Sequence, residues 1–413
     1  MTSIRSDLDQ VLVTERELWL DGPPHELFTR LRSECPVHWT PRVSEYPSEA
    51  GYWSITRADD VHAVSRDWRT FSSAMGITAI SDLMLELMQA MFIGMDPPKH
   101  DRLKMLFQAG FTPRRIAAHE PAIRQIVVDV LDRLGGAESC DLVNDVAQPV
   151  VSRVIGSFMG IPPEDDAVWA RLMNSSLAAG DPDLNPAGLE SILANEIPEI
   201  FRRCSEMISE RRAHPTDDLT SVLVHAEIDG HKLEEHEIVM GFFLLVAAGN
   251  DSTKATYCSG MRALMEHPDQ REILLADPAL IPSAVEESLR MFPAFAHFRR
   301  TATADTEIGG RRIREGDKVV MWYVSSNRDE TRYEDPDRFA VRRNPEHQAF
   351  GAGGRHFCLG AALARLELRV MFEETLARYP RMEMAGRPSV VESGFINQLK
   401  TLPVVLDGSV TGS

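Results

Sequence analysis

The chain of 413 residues has only five cysteines and no long apolar run. The cysteines stand singly, which argues against a disulfide framework and favours a reducing compartment. The longest apolar run, residues 238–248, is too short to cross a bilayer. Residues 1–21 are studded with charges, unlike a signal peptide. These absences predict a soluble, cytoplasmic protein without membrane insertion.

No Gly/Ser-rich or Pro-rich linker divides the chain, although its length would allow several domains. Hydrophobic residues make up 43% of the sequence, enough for a substantial core. We therefore predict one domain over residues 1–413, with residues 1–22 as a loose N-terminal arm, and we expect a monomer. The formal net charge of −18 argues against nucleic acid as a partner.

Glycines crowd the approach to one cysteine near the C-terminal end, where residues 350–360 read FGAGGRHFCLG. Glycines allow the backbone to pass close to a large flat group, because no Cβ stands in the way. A helix pattern follows the cysteine at once, and a thiolate at a helix start is favoured by the helix dipole. Such a stretch suits a thiolate that binds a metal with one open face.

Two other interpretations compete with the metal-bound thiolate, beside that of a buried free cysteine. A phosphatase-type nucleophile would require arginine six residues after Cys358, where the chain has Ala364. A structural zinc site would require clustered ligands, but the remaining cysteines are scattered as Cys35, Cys140, Cys204 and Cys258.

The glycine-rich stretch resembles the haem-binding loop of the cytochrome P450 family, in which Phe, a Gly-rich turn and a basic residue precede Cys-x-Gly. The interval from Phe to Cys is one residue longer here than the family usually has. The resemblance implies haem b (iron protoporphyrin IX) as cofactor and Cys358 as the proximal iron ligand. It also implies haem contacts from Phe350, Gly351, Arg355, His356 and Gly360.

Residues 234–267 predict a long helix that is apolar on all sides and therefore buried. Polar residues 249–253 interrupt its middle, which indicates either a widened turn that holds water or the N-cap of a second helix. The segment resembles the family's oxygen-activation motif. That implies proton delivery by Asp251, an activating hydroxyl on Ser252 or Thr253, and haem contacts from Ala248 and Gly249. Serine replaces the usual threonine at 252, and which hydroxyl acts is open.

Two further pairs have the spacing of one helix face. His100 and Lys104 could bind a haem propionate or form a surface pair; the family usually has arginine at position 104, and the resemblance adds Arg300 as a second propionate ligand. Glu287 and Arg290 would ordinarily form a surface ion pair. The resemblance implies instead a buried structural pair, joined by Arg338 from a later loop.

The Met-rich residues 72–92 are either core or a wall of a substrate pocket, since methionine adapts to irregular apolar shapes. The interrupted helices of residues 162–215 correspond to the family's mobile lid. By resemblance, the substrate pocket contains Met84, Met88, Phe92, Phe243, Ala247, Ala294, Phe295, Ala296, Phe395 and Ile396.

The resemblance covers residues 24–406, with four motifs in the family's order. It implies a mainly α fold with small β-sheets, arranged as a triangular helical bundle around a buried haem. The expected activity is insertion of one oxygen atom from O₂ into an apolar small molecule, with steroids, terpenoids and fatty chains favoured. Since no flavin or iron–sulfur motif is present, electrons would come from a ferredoxin and a ferredoxin reductase, docked on basic residues near the cysteine.

Other functions stay open at this point. A natural-product tailoring oxygenase would share every motif. An enzyme that uses peroxide or rearranges its substrate is disfavoured by the acid–hydroxyl pair, and a haem sensor or carrier would show no substrate-dependent consumption of NAD(P)H.

Overall fold

Helices dominate the computed structural model, which describes residues 8, 10–43, 46–79, 82, 85–108, 110–178, 181–228 and 230–406. The α-helices are α1 (His25–Glu34), α2 (Ala58–Arg66), α3 (Leu85–Ala90), α4 (Lys99–Gln108), α5 (Pro113–Asp132), α6 (Gln148–Met159), α7 (Asp166–Leu177), α8 (Gly188–Ser191), α9 (Ile197–Ala213), α10 (Leu219–His225), α11 (Glu235–Glu266), α12 (Pro268–Ala276), α13 (Ile281–Met291), α14 (Tyr323–Ser326) and α15 (Ala361–Arg378). Short 3₁₀ helices cover Arg16–Trp19, Phe92–Gly94, Pro163–Asp165 and Pro278–Leu280, and π-helical segments cover Leu142–Ala147 and Ile192–Glu196.

The β-structure is small and divided among several sheets. The strands are β1 (Val37–Val43), β2 (Tyr46–Ile55), β3 (Phe71–Ser72), β4 (Ser139–Asp141), β5 (Glu227–Ile228), β6 (His231–Lys232), β7 (His297–Ala302), β8 (Thr306–Ile308), β9 (Arg311–Ile313), β10 (Lys318–Trp322), β11 (Glu383–Met384), β12 (Ser389–Val390), β13 (Leu399–Thr401) and β14 (Pro403–Val405). The largest sheet has the order β1-β2-β10-β7-β3, and a second has the order β11-β14-β4.

The five-stranded sheet positions two consecutive arginines. β10 runs parallel to β2 and antiparallel to β7, with Val319 opposite Arg300 and Val320 opposite Arg299. Successive side chains of a strand point to opposite faces, so the two guanidinium groups leave the sheet in opposite directions. Arg299 contacts Asp82 at 2.6 Å and the Thr78 carbonyl at 3.0 Å, which leaves Arg300 for the other face.

The longest helix, α11, lies in the main hydrophobic core and touches α6, α7, α9, α13 and α15. It begins with a capping box between Glu234 and Glu237. The helix is continuous through residues 249–253, so the alternative of a second helix beginning there is wrong. None of the described helices combines the length and the apolar character that crossing a bilayer requires.

The prediction of a loose arm is wrong for residues 10–22. Val13 and Trp19 are buried, and the Trp19 indole donates to the Val13 carbonyl at 2.8 Å. Trp19 also stacks on Trp322 of β10, with ring centroids 5.7 Å apart. Burial of a tryptophan contributes enough apolar area to hold such a polar segment on the sheet.

Candidate active site around Cys358

The cysteine loop is a tight turn that presents Cys358 just before α15. Three of its glycines have positive φ angles between 82° and 87°: Gly351, Gly353 and Gly354. A Cβ on Gly354 would lie 2.5 Å from the carbonyl oxygen of Ser65 on α2, so only glycine fits there. The Cys358 N–H donates to the Phe350 carbonyl at 2.9 Å and closes the turn. By its accessible surface the residue Cys358 is exposed, whereas Cys204 and Cys258 are buried, so Cys358 is not packed as an inert core cysteine.

The surroundings of Cys358 have opposing effects on the pKa of its thiol. Desolvation by the neighbouring protein atoms raises the pKa of Cys358, whereas a hydrogen bond from the Gly360 N–H and the charges of Lys104 and Arg365 oppose that rise. The net direction is upward, so the metal-free thiol keeps its proton. Coordination to a metal displaces a thiol proton, and the N–H donor and nearby cations then favour the thiolate.

Two buried basic groups near the loop have unused hydrogen-bonding capacity. His100 bonds Asp101 Oδ1 through its Nδ1 atom at 3.0 Å, whereas Arg300 has no carboxylate partner among the described residues. The Nε2 atom of His100 is buried without a hydrogen bond, and its ring lies 4.2 Å from the ring of His356. The Arg300 side chain is buried and donates to the Arg299 carbonyl at 2.8 Å. Burial lowers the pKa of Arg300, and an uncompensated buried cation is costly. Arg300 therefore requires an anion, and the propionates of haem b fit, with the unpartnered Nε2 of His100 as a second hydrogen-bonding atom.

The other predicted basic contacts have partners within the protein. Lys104 donates to the carbonyls of Arg355 and Phe357, the latter at 2.8 Å, and Arg355 pairs with Asp101 at 2.5 Å. The structure thus uses Lys104 and Arg355 to hold the cysteine loop. His356 bonds Ser73 Oγ at 3.1 Å, and burial together with neighbouring Arg300 lowers its pKa well below the usual range. His356 is therefore neutral, and Arg355 is the basic residue that precedes Cys358 in this loop.

One face of α11 is accessible to solvent at the middle of the helix, whereas the other faces there are buried. Leu244, Ala248 and Ser252 recur every four residues and are, with Gly249, the less buried positions of that stretch. About 100° round the helix from Ala248, a Cβ on Gly249 would lie 2.8 Å from Ile155 Cδ1 of α6. Gly249 is thus a close-packing position against α6, whereas the face carrying Ala248 and Ser252 is free to border a cofactor.

The two candidate hydroxyls face different surroundings. Ser252 is half-buried, and its Oγ donates to the Ala248 carbonyl at 2.8 Å. Thr253 is buried, and its Oγ1 donates to Glu367 Oε2 of α15 at 2.8 Å. Consecutive residues of a helix point about 100° apart, so only Ser252 lies on the accessible face.

Asp251 is buried beside these hydroxyls. Its Oδ1 accepts from Lys254 at 2.6 Å and from Asn250 at 3.2 Å. Its Oδ2 is buried without a partner among the described residues. One carboxylate oxygen is therefore fixed, and the other stays available for a proton or a water molecule.

Aromatic side chains from two distant loops meet at the start of β7. The rings of Phe295, Phe298 and Phe395 are 5.3–5.6 Å apart, and all three residues are half-buried. Phe295 and Phe395 were expected here, whereas Phe298 was missed. The alternation along β7, with Phe298 two residues before Arg300, could have indicated it.

The remaining pocket predictions have mixed outcomes. Phe92 and Met88 are half-buried, while Phe243 and Ala247 are nearly covered; Met84 lies outside the described residues. The predictions for two further residues, Ala296 and Ile396, are wrong because 0% and 2% of their surfaces are exposed. The Ala296 N–H donates to the Phe395 carbonyl at 2.8 Å, so the segment just before β7 serves packing. Ala294 is half-buried and stays a prediction.

The Glu287–Arg290 pair is fully buried, with N···O distances of 2.8 Å. The arginine that joins it is Arg343, whose Nε lies 3.1 Å from Glu287 Oε1, and the prediction of Arg338 is wrong. The side chain of Arg338 is exposed, and only its carbonyl turns inward, toward Arg290 and Arg343.

Two ionisable residues of the site escaped the sequence analysis, namely Lys254 and Glu367. Each lies on a buried helix position, where a charged side chain requires a partner. Lys254 follows the predicted motif in an apolar helix, and Glu367 falls within the run Leu363, Leu366 and Val370 that marks the apolar face of α15. Those positions were the signal that could have identified both.

Comparison with known proteins agrees with this site. The family model described as "Cytochrome P450" matches residues 188–393. The chain is 38% identical to a methyl-branched lipid omega-hydroxylase of Mycobacterium tuberculosis over 91% of this chain and 90% of that protein. It is 33% identical to a linalool 8-monooxygenase of Pseudomonas putida, over 94% and 97% of the two chains.

A solved structure is similar over nearly its whole length. It is a cytochrome P450 of Mycobacterium marinum in complex with pseudoionone, with a TM-score of 0.90 and 37% identity, and the alignment covers 95% of this chain and 97% of that one. The predicted fold, cofactor and class of reaction are confirmed together. The chain belongs to the cytochrome P450 family, as a haem b monooxygenase that receives electrons from redox partners and oxygenates apolar substrates with O₂.

Proposed function

We propose that this monooxygenase hydroxylates an elongated apolar molecule of the terpenoid, branched fatty-chain or steroid type. The observation that carries the proposal is the half-buried cluster of Phe295, Phe298 and Phe395 beside Arg300. Aromatic walls bind ligands mainly through the burial of apolar area. The linalool and methyl-branched lipid enzymes, and the pseudoionone complex, support this class of substrate.

In this proposal, the residues around the cofactor have separate roles. Cys358 supplies the thiolate ligand, and His100 with Arg300 would hold the two propionates. When bound, a thiolate-ligated haem supplies the activation of O₂ and its insertion into substrate. Ser252 holds water and oxygen on the accessible face of α11, and Asp251 supplies protons through its free Oδ2.

In this proposal the electron donors are a ferredoxin and its reductase. The protein acts in the cytoplasm, as a monomer. Arg355, half-exposed beside the cysteine loop, and Arg114, exposed at the start of α5, offer basic groups to an acidic protein. Among the described residues the five cysteines are free, as is usual in a reducing compartment.

The first experiment is the carbon monoxide difference spectrum of the reduced protein. A strongly red-shifted Soret band is expected from thiolate ligation. Cys358→Ala should lose that band, and Cys35→Ala, a matched removal of a half-buried thiol, should keep it. A band retained in Cys358→Ala would exclude Cys358 as the ligand.

The substrate is tested by titrating the ferric protein with pseudoionone, linalool, a methyl-branched fatty acid and a steroid. A spectral change on displacement of iron-bound water, followed by a hydroxylated product, identifies the class. Response to none of them, with polar compounds active instead, would refute an apolar substrate.

Docking of a ferredoxin is tested by the rate of first reduction at increasing ionic strength. The rate should fall steeply with salt and should be lower in Arg355→Gln. Arg387→Gln removes an exposed arginine charge from the loop between β11 and β12, where Arg387 is likewise paired with an aspartate, and serves as the control. Equal effects of the two substitutions would argue against docking at the cysteine loop.

A further inference from the structure

Lys254 is a buried cation in the middle of α11, one turn after Asp251. Its side chain is 5% exposed. The Nζ atom donates to three oxygens, which are Asp251 Oδ1 at 2.6 Å, Gln148 Oε1 at 2.7 Å and Asn174 Oδ1 at 2.9 Å. Three acceptors match the three donors of an ammonium group, and such complete pairing is what allows a charged amine to be buried.

The same network reaches the side chain of Asn250, within the oxygen-activation motif, from the other side. Ser152 Oγ and Gln148 Nε2 donate to Asn250 Oδ1 at 3.0 and 3.1 Å. The Asn250 amide then donates to Asp251 Oδ1 at 3.2 Å. Asp251 is thus held at one oxygen by a cation and an amide, while its Oδ2 has no partner among the described residues.

The outer members of this network line a groove. Gln148, Ser152 and Asn174 border a cavity of about 730 Å³ between α5, α6 and α7. Its rim carries the exposed residues Asp129 and Arg133, so solvent reaches the amides that bond Lys254. One layer of side chains separates this groove from the ammonium group.

We infer that this groove is a proton inlet and that Lys254 is the positioning residue at its inner end. The inference rests on the proposed role of Asp251. The Lys254 ammonium transfers one proton to the Asp251 carboxylate, and Asp251 passes one proton onward from Oδ2. The resulting neutral amine takes a proton from a water molecule in the groove, and the hydroxide left behind leaves to solvent, so the ion pair is restored. The amides of Gln148 and Asn174 hold the ammonium in place and carry no net charge.

Three substitutions test the inlet. Lys254→Gln removes the charge but keeps hydrogen-bonding groups. Asn174→Leu closes the mouth and removes one of the three acceptors of Lys254, while the Lys254–Asp251 ion pair is kept. Arg171→Gln, at the rim and 60% exposed, serves as the control. Each variant is supplied with a surrogate ferredoxin and reductase and with pseudoionone, linalool and a methyl-branched fatty acid as substrate probes. The measured quantities are product and hydrogen peroxide per NAD(P)H, oxygen uptake, and the solvent deuterium isotope effect.

Lys254→Gln should lower the turnover rate at least tenfold, divert oxygen to peroxide and enlarge the solvent isotope effect, as loss of proton delivery does. Asn174→Leu should change the same quantities in the same direction, and Arg171→Gln should match the wild type. A purely structural lysine would leave the solvent isotope effect unchanged. Wild-type values in Asn174→Leu would overturn the inlet even if Lys254→Gln does not fold.

Asp251→Asn, measured in parallel, distinguishes failure of the proposed role of Asp251 from failure of the proton inlet. Unchanged coupling in Asp251→Asn refutes the proposed role of Asp251 itself. Impaired coupling there, with a normal isotope effect in Lys254→Gln, refutes only the inlet. A readout independent of turnover is the unfolding equilibrium. It should shift toward the unfolded state at least tenfold in Lys254→Gln and recover in the double variant with Asp251→Asn, because no unpaired carboxylate then stays buried.

Discussion

Glu367 is a buried carboxyl group whose protonation should control the stability of the protein. It lies on α15, is 4% exposed, and accepts a hydrogen bond from Thr253 Oγ1 at 2.8 Å. Desolvation raises the pKa of Glu367 to about 8, although the Thr253 hydroxyl opposes the rise. The native carboxyl group is therefore neutral at pH 7, whereas the same group in the unfolded chain is ionised.

The difference in the pKa of Glu367 between the folded and unfolded states gives the direction and size of the change in stability with pH. Because the folded state keeps its proton to higher pH, its stability is full below the unfolded pKa of 4.5 and is lost as the pH rises through 8. Each pH unit in this interval costs the folded state about 1.36 kcal/mol. The loss approaches about 5 kcal/mol above pH 8, and roughly 3–4 kcal/mol of it falls between pH 5 and pH 8.5.

Glu367→Gln isolates this contribution, since the amide has the same shape, accepts from Thr253 and never ionises. Its free energy of unfolding in urea should match the wild type at pH 5 and exceed it by roughly 3–4 kcal/mol at pH 8.5. Glu383→Gln removes the same charge at an exposed position and should follow the wild type at both values. A constant difference between Glu367→Gln and the wild type from pH 5 to pH 8.5 would show that Glu367 titrates normally.

Three further expectations concern the site. Arg343→Met should lower the free energy of unfolding by about 2–4 kcal/mol because it strips a partner from buried Glu287, whereas the exposed Arg338→Met should stay within about 0.5 kcal/mol; equal losses in urea titrations would contradict the assignment. Ser252→Ala should release several times more hydrogen peroxide per NAD(P)H than Thr253→Ala, and the reverse order would move the activating hydroxyl to Thr253. Arg300→Gln should weaken haem retention about tenfold in transfer to apomyoglobin, since a charge-assisted hydrogen bond contributes about 1.5–3 kcal/mol; an unchanged transfer rate would remove Arg300 from the propionate site.

Several features of the site could be predicted from the sequence because their chemistry lies within one local segment. The glycines before Cys358 decide the shape of a turn, and the spacing of Glu287 and Arg290 places them on one helix face. The apolar run around Asp251 likewise predicts a buried helix, and residues 235–266 form it. Spacing alone left the metal-bound thiolate beside other interpretations of Cys358, and the resemblance of the motifs to the cytochrome P450 family indicated the class of reaction.

Partners from distant segments were decided only by the tertiary structure. A buried polar group takes whichever partner the packing brings into hydrogen-bonding distance, and no local pattern encodes that choice. Arg343 instead of Arg338 meets Glu287 because the loop turns the Arg338 side chain outward. Thr253 meets Glu367 across two helices, more than 100 positions apart in the chain. Motifs therefore determined which chemistry the protein performs, and packing decided which hydroxyl, cation and carboxylate can take part in it.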